Sequence, residues 1–475
     1  MTNYRRARNL PAILFAFAYL WHAGSVLAAE QGKRPNIFFY VADDFGVADA
    51  SCYGGKWVQT PNIDRLATEG TKFNSVFAGS PSCNPSRSIL YTGLMSARNG
   101  AHPNHGRVFD GTKSIAHYMS DAGYRVAVVN KFHVSPAESF PFEQVKAQRK
   151  QTEGGGGTID IAVFDRWIES HLETNPEQPL CVFLCDNNTH LVWPDEHIAE
   201  FSQIEVPPCL PQHEATQQSL GRYYREVELL DERVGEAVSV LEKHKLLDDS
   251  LFVFTADQGP AWLHAKWTLY DLGLHVPFIA RWPGNVPKGR NSDALISFAD
   301  ITPTLVELAG RKPPGNLDGV SMAACLSDPE QTHHQEIYGT HTGDGTMNNY
   351  PSRCIRTTRW KFIWNLRPDL TYTTHLTKAA GKDRKSLWDA WAKERETNQQ
   401  IDEAMKAYQL RPEFELYDLQ NDPLEMNNLM NSEAHSEVAI ELKQKLEAWM
   451  VSQGDKRQDM THFLSQKRNK RKSKQ

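Results

Sequence analysis

From about residue 35 to 310, short runs of consecutive apolar residues alternate with longer segments in which apolar residues recur every three to four positions. Asn36–Val41 (NIFFYV), Arg125–Val129, Leu180–Cys185 and Leu251–Thr255 have the length and the β-branched and aromatic content of strands buried on both faces. Between them the spacing predicts helices over Ser114–Ala122, Ile159–Glu173 and Gln218–His244. The last of these places Tyr223, Val227, Leu230, Val234, Ala237 and Leu241 on one face. Alternation of this kind predicts an α/β fold, with a mostly parallel sheet sandwiched by helices. Near residue 340 the pattern changes. Arg353–Thr357, Trp360–Asn365 and Phe414–Asp418 read as short strands and Ser432–Val451 as a helix, so a smaller antiparallel sheet with one helix on it is expected at the C-terminal end. The expected organisation is a large α/β domain over 33–345, a small α+β subdomain over 346–455 and a basic, disordered tail over 456–475. The run Gly154–Gly157 reads as a flexible insertion.

The first residues read as an address. Arg5, Arg6 and Arg8 precede an apolar run from Leu10 to Leu20 that continues to Ala28, where Val26-Leu27-Ala28 offers small residues of the kind a signal peptidase reads. Residues 1–28 are therefore expected to be a signal peptide and the protein to be exported, periplasmic or secreted; an uncleaved N-terminal anchor is the alternative. No other stretch of about 18 apolar residues occurs, so no membrane span is expected. The formal charge of −6 hides an uneven distribution, because residues 29–466 carry 43 bases against 58 acids. A body this acidic excludes nonspecific nucleic-acid binding, and an anionic substrate would need a local cluster of bases. Seven cysteines after export make an odd count, which leaves one for chemistry while some of the other six pair. Without a C-x-x-C pair a zinc site is not expected.

The candidate chemistry lies where the strands end. The first is followed by Asp43-Asp44, the second by Lys131 and His133, the third by Asp186 and His190, and the fourth by Asp257-Gln258-Gly259. In open α/β sheets the ligand crevice lies outside the carboxyl ends of the strands, so these clusters are expected to converge. Asp43, Asp44 and Asp257, with the amide oxygen of Gln258, are hard ligands that favour Ca²⁺ or Mg²⁺. Ser82-Cys83-Asn84-Pro85-Ser86-Arg87 opens a short helical segment. Cys83 would stand at its N-terminal end, where the helix dipole favours anions, and Arg87 would fall on the same face. Cys83 is thus a candidate nucleophile; a buried structural cysteine or a disulfide partner is the alternative.

These residues carry a resemblance. Cys83-Asn84-Pro85-Ser86-Arg87 resembles the C-x-P-S-R signature of the type I sulfatases, in which the cysteine is oxidised to formylglycine. Arg34-Pro35-Asn36, Asp43-Asp44, Thr60–Ala67, Tyr91-Thr92-Gly93, Asp257-Gln258-Gly259, Lys266, Leu269-Tyr270, Tyr417-Asp418-Leu419 and Asp422-Pro423 extend it over roughly residues 34–450. Within that family, Lys131–Pro136, Phe140-Pro141-Phe142, Ser352–Thr357, Trp364-Asn365-Leu366 and Leu387-Trp388-Asp389 resemble the heparan N-sulfatase (sulfamidase) branch. The chain departs from that branch at Gln258, where asparagine is usual, at Asn130, at the residue before His190 and at Lys266, where arginine is more frequent.

The resemblance implies an alkaline-phosphatase-like fold and a sulfate-releasing enzyme that needs a formylglycine-generating enzyme for maturation. It implies that Asp43, Asp44, Asp257, Gln258 and the converted Cys83 hold Ca²⁺, with Mg²⁺ second. The hydrated aldehyde would attack sulfur, and Asp257 would take its proton. Arg87 and Lys131 would hold the hydrate and the sulfuryl oxygens, His190 and Lys266 would serve the leaving atom, and His133 would deprotonate the second hydroxyl. The implied substrate is N-sulfoglucosamine in heparin or heparan sulfate fragments. An O-sulfatase acting on another sulfated polysaccharide is the alternative, and a catalytically silent glycan-binding homologue is the remote one. Sugar recognition is expected from loops such as Gly339–Asn349 and from Arg353. Because the body is acidic, glycan binding should rest on Arg87, Lys131 and Lys266 at short range. Affinity measured up to about 0.5 M salt, where screening is nearly complete, should hardly change; a steep salt slope would reveal a wider basic surface.

Overall fold

The computed structural model describes residues 34–146, 157–378 and 386–463; the expected signal peptide, most of the glycine run and the end of the basic tail lie outside them. Nine strands build the first sheet: β1 (Asn36–Ala42), β2 (Thr71–Phe77), β3 (Arg125–Asn130), β4 (Glu143–Val145), β5 (Leu180–Cys185), β6 (Ser250–Ala256), β7 (His275–Arg281), β8 (Arg290–Ser292) and β9 (Ile296–Ser297). Their order is β4-β3-β5-β1-β6-β7-β2-β8, with β9 also on β2. From β4 to β6 every neighbour is parallel, and β7 runs antiparallel to both β6 and β2. The four strands expected from their apolar runs form the centre of the sheet, and all of β1, β5 and β6 is buried.

Two strands that the pattern did not announce, β2 and β7, have a common cause. β7 contains Pro277, which lacks an N–H and interrupts the apolar run. Opposite it, the β2–β7 register shifts between Phe73 and Val76, so the partner strand bulges where proline cannot donate.

Two groups of helices pack with this sheet. One contains α1 (Pro61–Glu69), α4 (Ile161–Thr174) and α5 (Glu214–Lys243); the other contains α2 (Cys83–Thr92), α3 (Ile115–Asp121) and α6 (Ile301–Leu308). On α5 the expected stripe of Tyr223, Val227, Leu230, Val234, Ala237 and Leu241 is buried, while Glu232, Glu236 and Glu242 face solvent. Burying a side chain such as Leu230 or Val234 stabilises by about 2 kcal/mol. α5 begins at Glu214, four residues before the periodicity announces it, because the ring of His213 caps the amide of Ala215 at 2.9 Å.

The second sheet is antiparallel: β10 (Glu336–His341), β11 (Ser352–Thr357), β12 (Trp360–Asn365) and β13 (Phe414–Asp418). Helices α7 (Ser386–Glu394) and α8 (Gln399–Gln409) lie in the connection before β13, and α9 (Ser436–Ser452) follows it. Side chains alternate between the faces, as a strand period of two requires. Ile355, Phe362 and Leu416 pack on Ala439, Leu442 and Leu446 of α9. Cys354, Ile363 and Tyr417 pack on Phe77, Leu269 and Leu274 of the larger sheet's side. From Arg34 onward the described residues form one compact unit.

The expected cysteine pairing is corrected here: all seven cysteines are free thiols. Cys181 and Cys185 are four residues apart on one strand, a separation of roughly 13 Å that no disulfide spans. The remaining cysteines are dispersed over other elements and loops.

A buried ionic node joins the two sheets. Lys361 of β12 is fully buried and reaches Asp271, just before β7, and Glu425 at 2.9 Å, while Arg356 of β11 reaches Asp271 at 3.1 Å. Against the cost of burial, Lys361 and Arg356 hold the Asp271 carboxyl well below its usual range. Its contribution is therefore complete above the unfolded carboxylate range and is lost as pH falls through that range and below it. Asp271→Asn should lower stability by about 3 kcal/mol, because it takes the shared carboxylate from Arg356 and leaves the buried Lys361 with Glu425 alone. Calorimetric unfolding at neutral pH reads this, and a loss below about 1 kcal/mol would show that the node does not hold the sheets together.

Candidate active site

The register of the first sheet brings the chemical residues together. Val41 of β1 pairs with Cys185 of β5, Ala42 with Ala256 of β6, and Asn130 of β3 with Cys185. The residues that follow these strands therefore leave the sheet at one edge. Asp43 and Asp44 follow β1, Lys131 and His133 follow β3, His190 follows β5, and Asp257 and Gln258 follow β6. Gly259 then allows the chain to turn under the Lys266 loop, since a Cβ there would lie 1.7 Å from the Leu272 carbonyl oxygen. A cavity of about 2090 Å³ opens over this edge, lined by Asp44, Cys83, Lys131, His133, His190 and Lys266 among others.

Cys83 begins α2 and is buried at the centre of the cluster. Its Sγ lies 3.5 Å from Asp43 Oδ1 and 4.0 Å from Asp44 Oδ1, and the Gln258 amide donates to it at 3.3 Å. Arg87, one turn on, donates through Nε to Asp257 Oδ2 at 2.8 Å, and its Nη2 lies 3.8 Å from Asp43. Lys131 is paired with Asp43, and the Lys266 ammonium donates to both oxygens of Asp44 at 2.6 Å. His190 Nε2 lies 4.0 Å from Asp44, with Nδ1 turned to the Leu191 carbonyl at 2.6 Å. The Asp44 amide donates to Asp257 at 3.2 Å, which ties the ends of β1 and β6 together. His133 stands at the rim, its Nε2 2.9 Å from His105 Nδ1.

Burial and charge set the protonation states. Burial pushes the Cys83 thiol up to about 12, more than Lys131 and Lys266 draw it down, so at neutral pH it is a thiol and not a thiolate. Burial, and then the charge of Asp43, push Asp257 up to about 7. Asp43 itself is held well below the usual range, because Lys131, His190 and Arg87 outweigh its burial. Against burial, Asp43 raises Lys131 and Asp44 raises Lys266, so both remain ammonium. Burial and neighbouring cations lower His190 to about 4 and His133 to about 2, leaving both rings neutral. Among the described residues, five of the nine non-glycine residues with positive φ line this cavity: Asp44, His105, Asn130, His133 and Trp267. Strained backbone of this kind persists only where surrounding structure enforces it, and it concentrates at functional sites.

Nine of the ten site residues anticipated from the sequence meet around Cys83, and the tenth, His133, is at the rim. Asp186, which also follows β5, does not join them; its carboxylate accepts from the Tyr40 hydroxyl and the Asn188 amide. Arg353 is corrected as a sugar-binding residue. It is fully buried against Asp455 and donates to the His341 carbonyl at 2.7 Å. The pattern gave no notice of Asn104, His105, Trp267 and His375, which line the cavity beside His133, whereas Asp344 beside them falls in the Gly339–Asn349 loop singled out from the sequence. Asn104 and His105 share one loop, Trp267 lies on another and His375 opens a short helix, and no periodicity marks these positions.

The donor set suits a hard divalent cation. Potential ligand atoms of Asp43, Cys83 and Asp257, and of Asp44, Cys83 and His190, lie within 4.8 Å of one another. The Gln258 Oε1 is buried without a hydrogen-bond donor, while its amide nitrogen faces Asp44 and Cys83. Turning that amide over would aim its oxygen at the Asp44 carboxylate and the Cys83 sulfur, an arrangement that a cation held among them makes favourable.

The comparisons agree with this architecture. Residues 35–311 match the model of the Sulfatase family, and 259–410 with 398–452 match that described as N-sulphoglucosamine sulphohydrolase, C-terminal. An ulvan-active sulfatase of Formosa agariphila is 32% identical over 429 residues, covering 89% of this chain and 81% of its own length. The N-sulphoglucosamine sulphohydrolase of Homo sapiens is 24% identical over 468 residues, covering 89% and 91%. A solved structure in complex with its substrate, D-glucosamine-2-N,6-O-disulfate, superposes with a TM-score of 0.69 at 20% identity, over 89% of this chain and 99% of that one. The chain belongs to the sulfatase family and is a sulfate ester hydrolase.

If the carboxylates hold a divalent cation, Ca²⁺ at 100 times its dissociation constant should stabilise the protein by about 2.7 kcal/mol, with a chelator reversing the rise in Tm. The Asp44→Asn variant should lose most of that rise. An unchanged Tm in the wild-type protein would contradict the assignment.

Proposed function

We propose that this chain is a formylglycine-dependent sulfatase that removes sulfate from a sulfated glycan, with Cys83 as the residue converted and Asp43, Asp44, Asp257 and Gln258 as the residues that hold Ca²⁺. The observation that carries the reading is the setting of Cys83: a buried thiol, held protonated, between carboxylates and within one helical turn of Arg87. A thiol so far from ionising is a poor nucleophile, whereas the position suits a side chain remade for the task. When present, the aldehyde hydrate supplies a hydroxyl for attack on sulfur, and the cation neutralises the sulfuryl oxygens.

The chain's own groups divide the remaining work. Asp257, raised toward neutrality, accepts the nucleophile's proton. Arg87 and Lys131 provide fixed positive charge to the hydrate and the sulfuryl oxygens. His190 and Lys266 face the cavity beside Asp44 and serve the leaving atom. His133, neutral at the rim, takes the second hydroxyl's proton. A cation taking over Asp43 and Asp44 would also free the ammonium groups of Lys131 and Lys266 to meet an anionic substrate.

N-sulfoglucosamine in heparin or heparan sulfate fragments is the first reading of the substrate; the C-terminal family match and the human relative support it. An O-sulfatase acting on another sulfated polysaccharide is the second, favoured by the ulvan-active relative at 32% identity and by Lys266 where the sulfamidase branch more often carries arginine. Either role suits export to the periplasm or beyond, which Arg5–Ala28 support. Among the described residues no helix is long and apolar enough to cross a membrane.

Protein produced with a formylglycine-generating enzyme should release sulfate from a glucosamine disaccharide that is only N-sulfated, and Cys83→Ala should fall to background. Release from a 6-O-sulfated disaccharide alone would keep the chemistry and select the second reading. Undiminished release by Cys83→Ala would overturn the proposal.

A further inference from the structure

A row of polar groups leads away from His133, and the sulfatase reaction as assigned above does not use it. His133 Nδ1 is buried without a hydrogen-bond partner among the described residues, and the ring lines the cavity. Its other nitrogen, Nε2, lies 2.9 Å from His105 Nδ1. His105 Nε2 lies 3.8 Å from Asp344 Oδ1. Asp344 is 4% exposed and is fixed from other sides: Asn104 donates to it at 3.0 Å and Trp267 Nε1 at 3.3 Å, while His375 stands 3.8 Å away. The His105 side chain, by contrast, is 65% exposed. Both histidines have positive φ, 57° for His105 and 45° for His133, so the backbone is held in an unfavourable conformation at both ends of their contact. Asn84, next to Cys83, reinforces the arrangement by donating to the His133 carbonyl at 2.9 Å and by its amide reaching Asn104 Oδ1 at 3.2 Å.

We propose that His105 is the positioning residue for His133, that Asp344 sets its tautomer, and that the three form a proton path from the cavity to solvent. The inference rests on the sulfatase reading above. The Asn104 amide nitrogen, 3.5 Å from His105 Nε2, gives its hydrogen to Asp344 at 3.0 Å, so the carboxylate 3.8 Å away favours a proton on Nε2 and leaves Nδ1 as an acceptor. His133 then donates through Nε2–H to His105, which leaves the buried, unpartnered His133 Nδ1 with a free lone pair to act as the base. When Nδ1 takes a proton from the hydroxyl, the Nε2 proton passes to His105 Nδ1, and the His105 Nε2 proton leaves to water beside Asp344. One proton enters and one departs, and both rings finish neutral. Turning the rings restores the starting tautomers.

Nitrogen-15 NMR of the histidine rings tests this without turnover. His133 should be the Nε2–H tautomer in the wild-type protein and should lose that preference in His105→Ala and in Asp344→Asn. His105 is exposed, so its removal leaves the fold intact. In sulfate release, kcat should fall on the order of 10- to 100-fold in His105→Ala with KM little changed, and added imidazole should restore part of the rate. A wild-type His133 protonated on Nδ1 would overturn the proposal whether or not the enzyme turns over. So would a His105→Ala variant that raises KM alone, since His105 would then be a sugar contact. If the wild-type protein releases no sulfate, the functional reading fails, and the NMR arm still decides the tautomer claim.

Discussion

The constraint on which the rest depends is the burial of three carboxylates, Asp43, Asp44 and Asp257, at one edge of a parallel sheet. Isolated charges at such depth would cost several kcal/mol each. The fold meets that cost by bringing Lys131, Lys266 and Arg87 to the same place from three different segments. Each element of the larger unit serves this meeting. The parallel register aligns the strand ends, α2 sets Cys83 and Arg87 one turn apart, and Gly259 permits the close passage that carries Lys266 inward. A site so balanced is prepared for one cation and one anion together, since either alone would upset the charges that are already paired.

The smaller sheet contributes differently. Its core with α9 is its own, but its inner face and the Asp271 node attach it to the larger sheet. The loop between β10 and β11 carries Asp344 to the cavity, and Arg353, buried on Asp455, anchors the base of that loop. The second sheet is therefore a support for the rim of the cavity, and it leaves the buried acidic cluster to the first.

Much of this was legible in the chain. β1, β3, β5 and β6 are continuous apolar runs, which only a strand covered on both sides requires, and each stops at a cluster of polar residues. That is why Cys83 and the eight residues around it, with His133 at the rim, could be named before their distances were known. β2 and β7 were hidden because Pro277 and the bulge opposite it break the alternation. Arg353 misled because an arginine buried on Asp455 and one that holds a sugar look the same in sequence. The odd cysteine count suggested disulfides, yet Cys181 and Cys185 are sealed into a strand. His105 was silent, and Asp344 was marked only as part of the Gly339–Asn349 loop, for a further reason: they lie on loops brought together over more than 200 residues, and nothing local records that meeting.

The central claim, that Cys83 is a precursor and not itself the nucleophile, is tested most directly by mass spectrometry of the tryptic peptide Phe73–Arg87 from protein that releases sulfate. The account predicts a peptide in which the Cys83 sulfur has been replaced by an aldehyde oxygen and which reacts with a hydrazide. Fully active protein in which that peptide carries only an alkylatable thiol would contradict it.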